Sequence, residues 1–136
     1  MAITHVVLDT NFLLIPYQFK VDIFSQIDRI LTVKYEFFVL DKTIDELKKI
    51  IKEQKGKDRD AARIALKLVA IKNIKAIKTR SGVRTDDAIL ELPQKGNFIV
   101  ATQDKDLKRR LINQGTAVII LRQKKKIEIV NYKGFA

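Results

Sequence analysis

The feature that most constrains the fold is an alternation between continuously apolar segments and segments with an apolar residue every three or four positions. The continuous segments, typical of strands buried on both faces, are residues 3–8, 36–40, 97–101 and 117–121, with a weaker one at 74–78. The periodic segments, typical of amphipathic helices, are residues 21–31, 43–52, 60–72, 85–92 and 104–113. This alternation predicts an α/β fold with a mostly parallel central sheet of about five strands.

The C-terminal part of the chain carries the pattern of a basic turn followed by an edge strand, within residues 122–132. Three lysines, 124–126, precede Ile127 and Ile129, which alternate with polar residues as in a strand with one buried face. With 136 residues, no internal repeat and no separating linker, the chain is expected to form a single domain over residues 1–136.

The composition excludes several kinds of catalytic site. The chain has no cysteine, which removes disulfides, thiolate zinc sites and cysteine nucleophiles. Its only histidine, His5, lies inside the first predicted strand, and we interpret it as a hydrogen-bonded core or edge residue. No apolar run approaches the ~18 residues of a membrane span and no signal peptide is recognisable, so we expect a cytoplasmic protein without membrane contact. Any chemistry then depends on carboxylates and hydroxyls.

The net charge of +11, from 27 basic and 16 acidic residues, indicates an anionic partner. Such a surplus of positive charge repels itself in the folded state unless an anion offsets it. Nucleic acid is the usual partner, because each neutralised phosphate releases condensed counterions. The alternative is the lysine-rich composition of a thermophile, in which lysine and glutamate are enriched together. Lysine far exceeds glutamate here, which favours nucleic acid.

Acidic residues occur at four places, each directly after a predicted strand or in the segment that follows it. They are Asp9, Glu46, the pair Asp86 and Asp87, and Asp104. Ligands of open α/β sheets bind at the carboxyl ends of the strands, so acids placed there can converge although they are distant in sequence. Each acid also has a purely structural interpretation. Asp9 and Asp104 can be helix N-caps. Asp86 and Asp87 can lie in the first turn of a helix, where they complement its dipole. For Glu46 it is a capping box that begins at Thr43.

These structural interpretations, taken one acid at a time, do not explain why acids follow several strands of the same predicted sheet. Carboxylates crowded at one edge of a sheet repel one another and raise one another's pKa, a conflict that a divalent cation resolves. Oxygen ligands without histidine or cysteine favour Mg²⁺ or Mn²⁺ over zinc. Such an ion activates water and offsets the charge of a phosphate under attack, and a basic surface suits a phosphodiester substrate. The residues therefore indicate a metal-dependent nuclease, in which Thr102 can hydrogen-bond a neighbouring carboxylate or a metal-bound water.

Four motifs, in this order, resemble those of the PIN-domain nucleases over essentially the whole chain. They are VVLDTNFLL, VLDKTIDELKKI, TDDAIL and IVATQDKDLKRRL. Two further segments, LLIPYQFKVDIF and VIILRQKKKIEI, are similar to archaeal relatives of the eukaryotic PIN nuclease of the small-subunit processome, which cleaves ribosomal RNA precursors. The resemblance implies a three-layer α/β/α PIN-like domain that hydrolyses single-stranded RNA in ribosomal RNA processing.

Carried over residue by residue, the resemblance implies a catalytic set of Asp9, Glu46, Asp86, Asp87 and Asp104. The four aspartates would bind one or two Mg²⁺ or Mn²⁺ ions, with either Asp86 or Asp87 as the third family acid and Glu46 completing the site. Asn11 and Thr102 would support the first and the last acid. The basic residues expected to follow the RNA backbone are Arg80, Arg84, Lys105, Lys108, Arg109, Lys124, Lys125 and Lys126.

The expected partners follow from the same resemblance. Precursor ribosomal RNA is the expected substrate, and ribosome-assembly proteins or a second copy of the chain, as a homodimer, are further candidates. One alternative is a ribonuclease toxin of a toxin–antitoxin pair, which shares the fold and the acids. Another is an RNA-binding ribosome-assembly factor without cleavage activity. A phosphatase or response-regulator pocket also has acids at strand ends, but the net charge of +11 argues against it.

Overall fold

The structure, a computed structural model, describes residues 3–132 and contains a central sheet of six strands. The strands are β1 (Thr4–Leu8), β2 (Tyr35–Leu40), β3 (Lys75–Ile77), β4 (Phe98–Ala101), β5 (Ala117–Arg122) and β6 (Lys126–Val130). Their order is β3-β2-β1-β4-β5-β6, and only the pair β5–β6 is antiparallel in these residues. The predicted mostly parallel sheet is confirmed, with the edge strand expected after the basic turn as its sixth member.

Helices connect the strands and cover both faces of the sheet. They are α1 (Thr10–Leu13), α2 (Ile15–Phe19), α3 (Ile23–Ile30), α4 (Asp41–Glu53), α5 (Lys57–Ile71), α6 (Thr85–Glu91) and α7 (Lys105–Asn113), with a 3-10 helix at Leu92–Lys95. Alternate residues of β1 pack into different buried clusters, Val6 and Leu8 with α1 to α5 and Val7 with α6 and α7. This is the expected three-layer α/β/α arrangement. Within the described residues, no helix is long and apolar enough to cross a membrane.

The strand order creates a crevice between β1 and β4. After β3 the chain crosses to the other side of β1, so the connections on the two sides of β1 diverge. Leu8 at the end of β1 is the partner of Ala101 at the end of β4. Such a switch point is where open α/β sheets bind ligands. Residues that follow Leu8 and Ala101 therefore meet at one edge of the sheet, called here the carboxyl edge.

Helix boundaries differ from the predicted ones at the N-terminal ends. Residues 10–19, for which the apolar pattern predicts no helix, form α1 and α2 directly after β1. α4 begins at Asp41 rather than at residue 43, and α5 begins at Lys57 rather than at residue 60. Acidic residues in the first turns of both helices, Asp41 and Asp58, complement the helix dipoles and extend the helices beyond their apolar periodicity.

His5 corrects one expectation drawn from the sequence. Its ring lies between the rings of Phe38 and Phe98, with centroid distances of 4.6 Å to each. The buried Nδ1 atom has no hydrogen-bond partner among residues 3–132. The expectation of a hydrogen-bonded histidine is therefore wrong for this nitrogen, because the side chain packs as an aromatic ring against two phenylalanines.

Candidate active site

Asp9 follows β1 at the carboxyl edge and is hydrogen-bonded through both carboxylate oxygens. Its Oδ1 accepts from the backbone N–H of Thr10 at 2.9 Å, which makes Asp9 the N-cap of α1. Its Oδ2 accepts from the hydroxyl of Thr102 at 2.9 Å, and the residue is 9% exposed. The structural interpretation of Asp9 as a cap is correct, but a cap does not require the second contact, which joins the ends of β1 and β4.

Thr102 connects Asp9 to Asp104. The fully buried Thr102 hydroxyl donates to Asp9 and accepts from the backbone N–H of Asp104 at 3.1 Å. Asp104 is the N-cap of α7, because its Oδ1 accepts from the N–H of Leu107 at 3.0 Å. These bonds connect the Asp9 carboxylate, the Thr102 hydroxyl and the backbone of Asp104, at neighbouring strand ends, into one unit. We call Asp9, Thr102 and Asp104 the strand-end half of the site.

Glu46 enters the site from α4 rather than from a strand. It is partly buried, and its Oε1 accepts from the hydroxyl of Thr85 at 3.4 Å. The capping box predicted between Thr43 and Glu46 is wrong, because Leu40 is the N-cap residue of α4 and Thr43 lies inside the helix. The Thr43 hydroxyl instead accepts from the hydroxyl of Thr10 at 3.2 Å. Glu46 is therefore free of a capping role.

The structure separates Asp86 from Asp87, which the sequence left as alternatives. Both lie in the first turn of α6, but only the charge of Asp86 contributes to the raised pKa of Asp9 and of Glu46. Asp87 is exposed and forms an ion pair with Arg110 of α7, in which Oδ1 and Nη2 are 3.7 Å apart. Asp86 thus lies with the other acids. We call Glu46, Thr85 and Asp86 the helix half of the site.

Two carboxyl groups of the site have raised pKa values because they are buried among like charges. Burial is the largest cause of the raised pKa of Asp9, and the charges of Asp86 and Asp104 add to it, against hydrogen bonds that lower it. Burial is also the largest cause of the raised pKa of Glu46, followed by the charge of Asp9. Four of the five acids predicted for the site therefore act on one another. They are Asp9, Glu46, Asp86 and Asp104.

The donor set suits a hard divalent cation. The donors described above are carboxylate and hydroxyl oxygens, which Mg²⁺ and Mn²⁺ prefer. Burial and the charges of neighbouring carboxylates raise the pKa values of Asp9 and Glu46, an effect that a cation bound beside them would oppose. Within residues 3–132, no three acidic or histidine side chains lie close enough together to coordinate one ion directly. The fit therefore rests on the chemistry of the donors rather than on a preformed coordination geometry.

Two residues beside Asp9 differ in what they contact. Asn11, expected to support the first acid, is exposed on α1, and its backbone carbonyl accepts from the side-chain amide of Gln103 at 3.1 Å. Thr10, which the sequence reasoning missed, is buried, and its hydroxyl lowers the pKa of Glu46 through a hydrogen bond. The signal for Thr10 in the sequence is its position directly after a candidate catalytic acid.

The sequence reasoning also missed the contacts that hold the loop before α6. The carboxylate of Asp41 accepts from the N–H of Thr79 at 3.1 Å and from its hydroxyl at 2.6 Å, and the hydroxyl contact is the largest cause of the lowered pKa of Asp41. The Lys42 ammonium donates to the carbonyl of Val83. The loop of residues 78–84 is thus fixed to the first turn of α4. Only the pairing of β2 with β3 brings these segments together, so sequence spacing does not reveal them.

The basic residues expected to bind RNA fall into three groups. Arg80 and Arg84 lie in the loop before α6, where both are exposed and Arg80 forms an ion pair with Glu91 at 3.4 Å. The group on α7 is Lys105, Lys108 and Arg109, the last of which is paired with Asp106. The third group is the exposed lysines of the β5–β6 turn, Lys124, Lys125 and Lys126. All three groups begin at the carboxyl ends of strands, as the acids do.

Known proteins resemble this chain over nearly its full length. Residues 6–124 match the family described as "PIN like domain". Ribonuclease VapC4 of Methanocaldococcus jannaschii is 35% identical over 125 residues, which are 91% of this chain and 95% of that protein. Ribonuclease VapC9 of Archaeoglobus fulgidus is 31% identical over 122 residues, 89% of this chain and 85% of that protein. A solved structure, "Structure of the PIN domain endonuclease Utp24", superposes with a TM-score of 0.75 and 27% identity, covering 97% of this chain and 95% of that one.

Proposed function

The chain belongs to the PIN-like domain family, and from this premise we propose that it is a metal-dependent endoribonuclease that hydrolyses phosphodiester bonds of single-stranded RNA. The observation that carries the proposal is the mutual electrostatic influence of four acids at the carboxyl edge. A net charge of +11 suits a polyanionic substrate. The relatives named as ribonucleases and as an endonuclease support the same class of reaction.

Asp9, Asp86 and Asp104 are the residues that would hold Mg²⁺ or Mn²⁺. Bound there, the ion supplies a Lewis acid that activates water and offsets charge on the phosphate. Through its two hydrogen bonds, Thr102 links the Asp9 carboxylate to the backbone N–H of Asp104 and so fixes where these two residues lie relative to each other. Asp87 is left out of this set because Arg110 already offsets its charge.

Glu46 completes the site as a proton acceptor for the attacking water. A carboxylate whose pKa is raised is a stronger base than an exposed one, and burial together with the charge of Asp9 raises the pKa of Glu46. The Thr85 hydroxyl donates to one of its oxygens and so limits the orientation of the side chain. The RNA backbone would lie along the three basic groups described above. Their lysines and arginines neutralise phosphates and carry little sequence preference.

Cleavage of a labelled single-stranded RNA tests the reaction. We expect the wild-type protein to cut it with Mn²⁺ or Mg²⁺ and to stop when the metal is chelated. Attack by water leaves a 5′-phosphate and a 3′-hydroxyl, whereas attack by the neighbouring 2′-hydroxyl leaves a cyclic phosphate. Products with cyclic ends, or no cleavage with either metal, would contradict the proposal. Asp45→Asn is a matched control for substitutions of site acids, because Asp45 is exposed on α4, the helix that carries Glu46.

Ribosomal RNA precursors are the substrate that we propose. The resemblance of the motifs to archaeal relatives of the processome nuclease supports this, as does the similarity to the PIN domain endonuclease Utp24 over 97% of the chain. Depletion of the protein in its host should then lead to accumulation of an unprocessed ribosomal RNA precursor. Re-expression of the Asp9→Asn variant should not remove that precursor.

A ribonuclease toxin of a toxin–antitoxin pair is the second candidate. The identities of 35% and 31% to two archaeal VapC ribonucleases favour it. Growth arrest on expression of the chain alone, relieved by the product of a small neighbouring gene, would support this candidate against ribosomal RNA processing. Normal growth with the active protein, and a processing defect on depletion, would exclude it.

The third candidate is an RNA-binding assembly factor without catalysis. It keeps the basic surface and gives no function to the acids whose charges raise the pKa values of Asp9 and Glu46. Binding without cleavage in the presence of Mn²⁺, unchanged by Asp9→Asn, would favour it over both nuclease candidates.

A further inference from the structure

The turn between β5 and β6 presents three lysines on a short, ordered ribbon. Lys124, Lys125 and Lys126 are exposed, and the N–H of Lys125 donates to the carbonyl of Arg122 at 3.1 Å. Gln123 and Lys124 have positive φ angles of 54° and 58°, as in the tight turns that match the twist of a two-stranded ribbon. We call residues 122–126 the basic hairpin tip. Its backbone conformation places the three lysines at consecutive positions of one tight turn.

Gln26 holds the basic hairpin tip against the helical layer. Its Nε2 donates to the carbonyl of Lys125 at 3.3 Å, and its Oε1 accepts from the N–H of Ile127 at 2.8 Å. The Lys124 ammonium also lies 5.9 Å from the ring centroid of Phe19. Both ends of one amide side chain thus bind the backbone of a segment about 100 positions away, as the sequence separations of 99 and 101 show. Gln26 carries no charge, so its contribution is positional.

The charge of the tip is not offset nearby. Arg122 is paired with Glu128 at 3.3 Å across the ribbon, whereas Lys124, Lys125 and Lys126 form no ion pair with any of residues 3–132. Three unpaired positive charges on a rigid turn suit a polyanion, because binding releases one counterion for each phosphate neutralised.

The position of the tip relative to the acids follows from the strand register. Ile119 of β5 is the partner of Ala101, and β5 continues to Arg122, so the tip extends beyond the end of β4. Three residues at about 3.3 Å each, and one or two strand spacings of about 4.8 Å, place Arg122, the first residue of the tip, about 11–14 Å from the ends of β4 and β1, which Asp104 and Asp9 follow. At about 3.4 Å per stacked nucleotide, this distance corresponds to about three to four nucleotides of a single strand.

We infer that the basic hairpin tip is a second phosphate-binding site, which engages single-stranded RNA about three to four nucleotides from the scissile bond, and that Gln26 is its positioning residue. The inference rests on the proposed function for the location of the scissile bond. It adds a minimum substrate length to that function, since an RNA too short to reach the tip gains nothing from the lysines. It also separates charge, supplied by the lysines, from placement, supplied by Gln26.

Binding measured without cleavage tests the charge of the tip. In the Asp9→Asn protein with the metal chelated, fluorescence anisotropy is followed for RNA oligonucleotides from about 2 to about 16 nucleotides over a salt series. Replacing Lys124, Lys125 and Lys126 by alanine should reduce the slope of log K against log salt by about 2 for the longer RNAs, at about 0.7 for each phosphate contact. For the shortest RNA the slope should not change.

A matched control removes the same charge elsewhere. Lys34, Arg63 and Lys67 are exposed and outside the three basic groups, so their replacement by alanine should leave the slope unchanged. Equal slopes for the two triple variants, or equal losses at every RNA length, would overturn the inference. Loss of binding to poly-glutamate rather than to RNA would instead assign the lysines to an acidic protein partner, which also overturns it.

Gln26→Ala tests placement. We expect a severalfold loss of affinity for long RNA with little change in the salt slope, because the lysines remain but lose their fixed position. Gln18→Ala, at an exposed position of α2, is the control, and thermal melting of both variants checks that the fold is intact. Unchanged affinity of a folded Gln26→Ala variant would remove its positioning role. If the wild type binds RNA through the tip but never cleaves it, the proposed nuclease function fails while this binding site remains.

Discussion

The two halves of the site are held in place by different kinds of structure. In the strand-end half, Asp9 and Asp104 follow neighbouring parallel strands, whose register is set by the backbone ladder. The bridging hydrogen bond from Thr102 is buried and 2.9 Å long. A shift of one residue between these strands would turn every core side chain to the other face, so this half cannot move without unfolding the sheet.

The helix half is held less tightly. Glu46 lies on α4 and Asp86 on α6, and these helices pack into the two different buried clusters on opposite faces of the sheet. The hydrogen bond from Thr85 to Glu46 is only partly buried and 3.4 Å long. The loop of residues 78–84 determines where α6 begins, and it is fixed by polar contacts to Asp41 and Lys42 rather than by a strand ladder.

This contrast indicates which residues of the candidate site are held more firmly. The hydrogen bond of the strand-end half is buried and joins strands in fixed register, whereas the helix half depends on a longer, partly buried bond, so we expect the helix half to adjust more when a cation or a phosphate binds. We therefore expect substitutions in the strand-end half to cost more activity than equivalent substitutions in the helix half. The following predictions test that ranking.

The largest effect is expected for Asp9→Asn. This change removes the charge that acts on Glu46 and that interacts with Asp86 and Asp104, while the size of the side chain is kept. Single-turnover cleavage at saturating Mn²⁺ should fall by about 10³-fold or more. Asp45→Asn should stay close to wild type, and an Asp9→Asn variant that keeps a tenth of the activity would contradict the assignment.

The adjacent pair Asp86 and Asp87 gives the sharpest comparison within one helical turn. Asp86→Asn should reduce cleavage by about 10²-fold, because it removes a charge that acts on Asp9 and Glu46. Asp87→Asn should change cleavage little, since Asp87 is exposed and paired with Arg110. The same kinetic assay on both variants decides between them. A reversed order would mean that α6 presents its other acid to the substrate.

The two threonines compare the halves directly. Thr102→Val removes a buried hydroxyl with two hydrogen bonds, and it should reduce activity by about 10–100-fold and weaken the apparent affinity for Mn²⁺. Thr85→Val removes one longer bond to Glu46 and should cost less than about 10-fold. Metal titrations of both variants supply the measurement. Equal losses would show that the helix half is as rigid as the strand-end half.

The pH dependence of stability is expected to show the repulsion among the acids. Because the pKa values of Asp9 and Glu46 are raised in the folded protein, the folded state binds their protons more tightly than the unfolded state does. These two groups therefore make the protein less stable at neutral pH and more stable as pH falls through their raised pKa values. Activity should fall over the same range, as the carboxylates lose their charge.

Glu46→Gln isolates this effect from that of other acids. Asp22 and Asp41 have lowered pKa values, so they make the protein less stable as pH falls. Both residues are present in the wild type and in the Glu46→Gln variant, so their contribution cancels in the comparison. At neutral pH and without metal, the variant should melt slightly higher than wild type, because it no longer has a charge that burial and Asp9 disfavour. The gain should shrink as pH falls or as Mn²⁺ is added. A variant that melts lower at neutral pH would show that Glu46 is not repelled.

The smallest measurable loss of activity is expected for Asp41→Asn. The variant keeps one acceptor oxygen, so only part of the contact to Thr79 is lost and the loop before α6 loosens. Cleavage should fall by about twofold to fivefold, in line with one weakened hydrogen bond. Steady-state kinetics beside Asp45→Asn on the same helix provide the measurement. No change at all would mean that the β2–β3 pairing alone positions α6.

The fold and the set of candidate acids could be read from the sequence to different degrees. Apolar periodicity located the strands and the long helices, because burial on one or both faces controls which positions are apolar. The short helices α1 and α2 escaped, since residues 12–15 are a continuous apolar run rather than an apolar residue every three or four positions, and Pro16 follows directly. The capping box at Thr43 failed because α4 begins two residues earlier, at Asp41, so that Thr43 lies inside the helix and its hydroxyl accepts from that of Thr10.

The amino-acid sequence alone indicates the class of chemistry, because a chain without cysteine and with one histidine offers mainly carboxylates and hydroxyls as reactive groups. Its surplus of lysine favours a polyanion as the binding partner. The sequence also determined that four acidic motifs follow strands. Only the tertiary structure decided that Asp86 rather than Asp87 lies with the other acids, and that Thr85 and Gln26 bind partners far away in the chain. The physical reason is that these choices depend on distances between segments that pair or pack across the sheet, which local sequence does not encode.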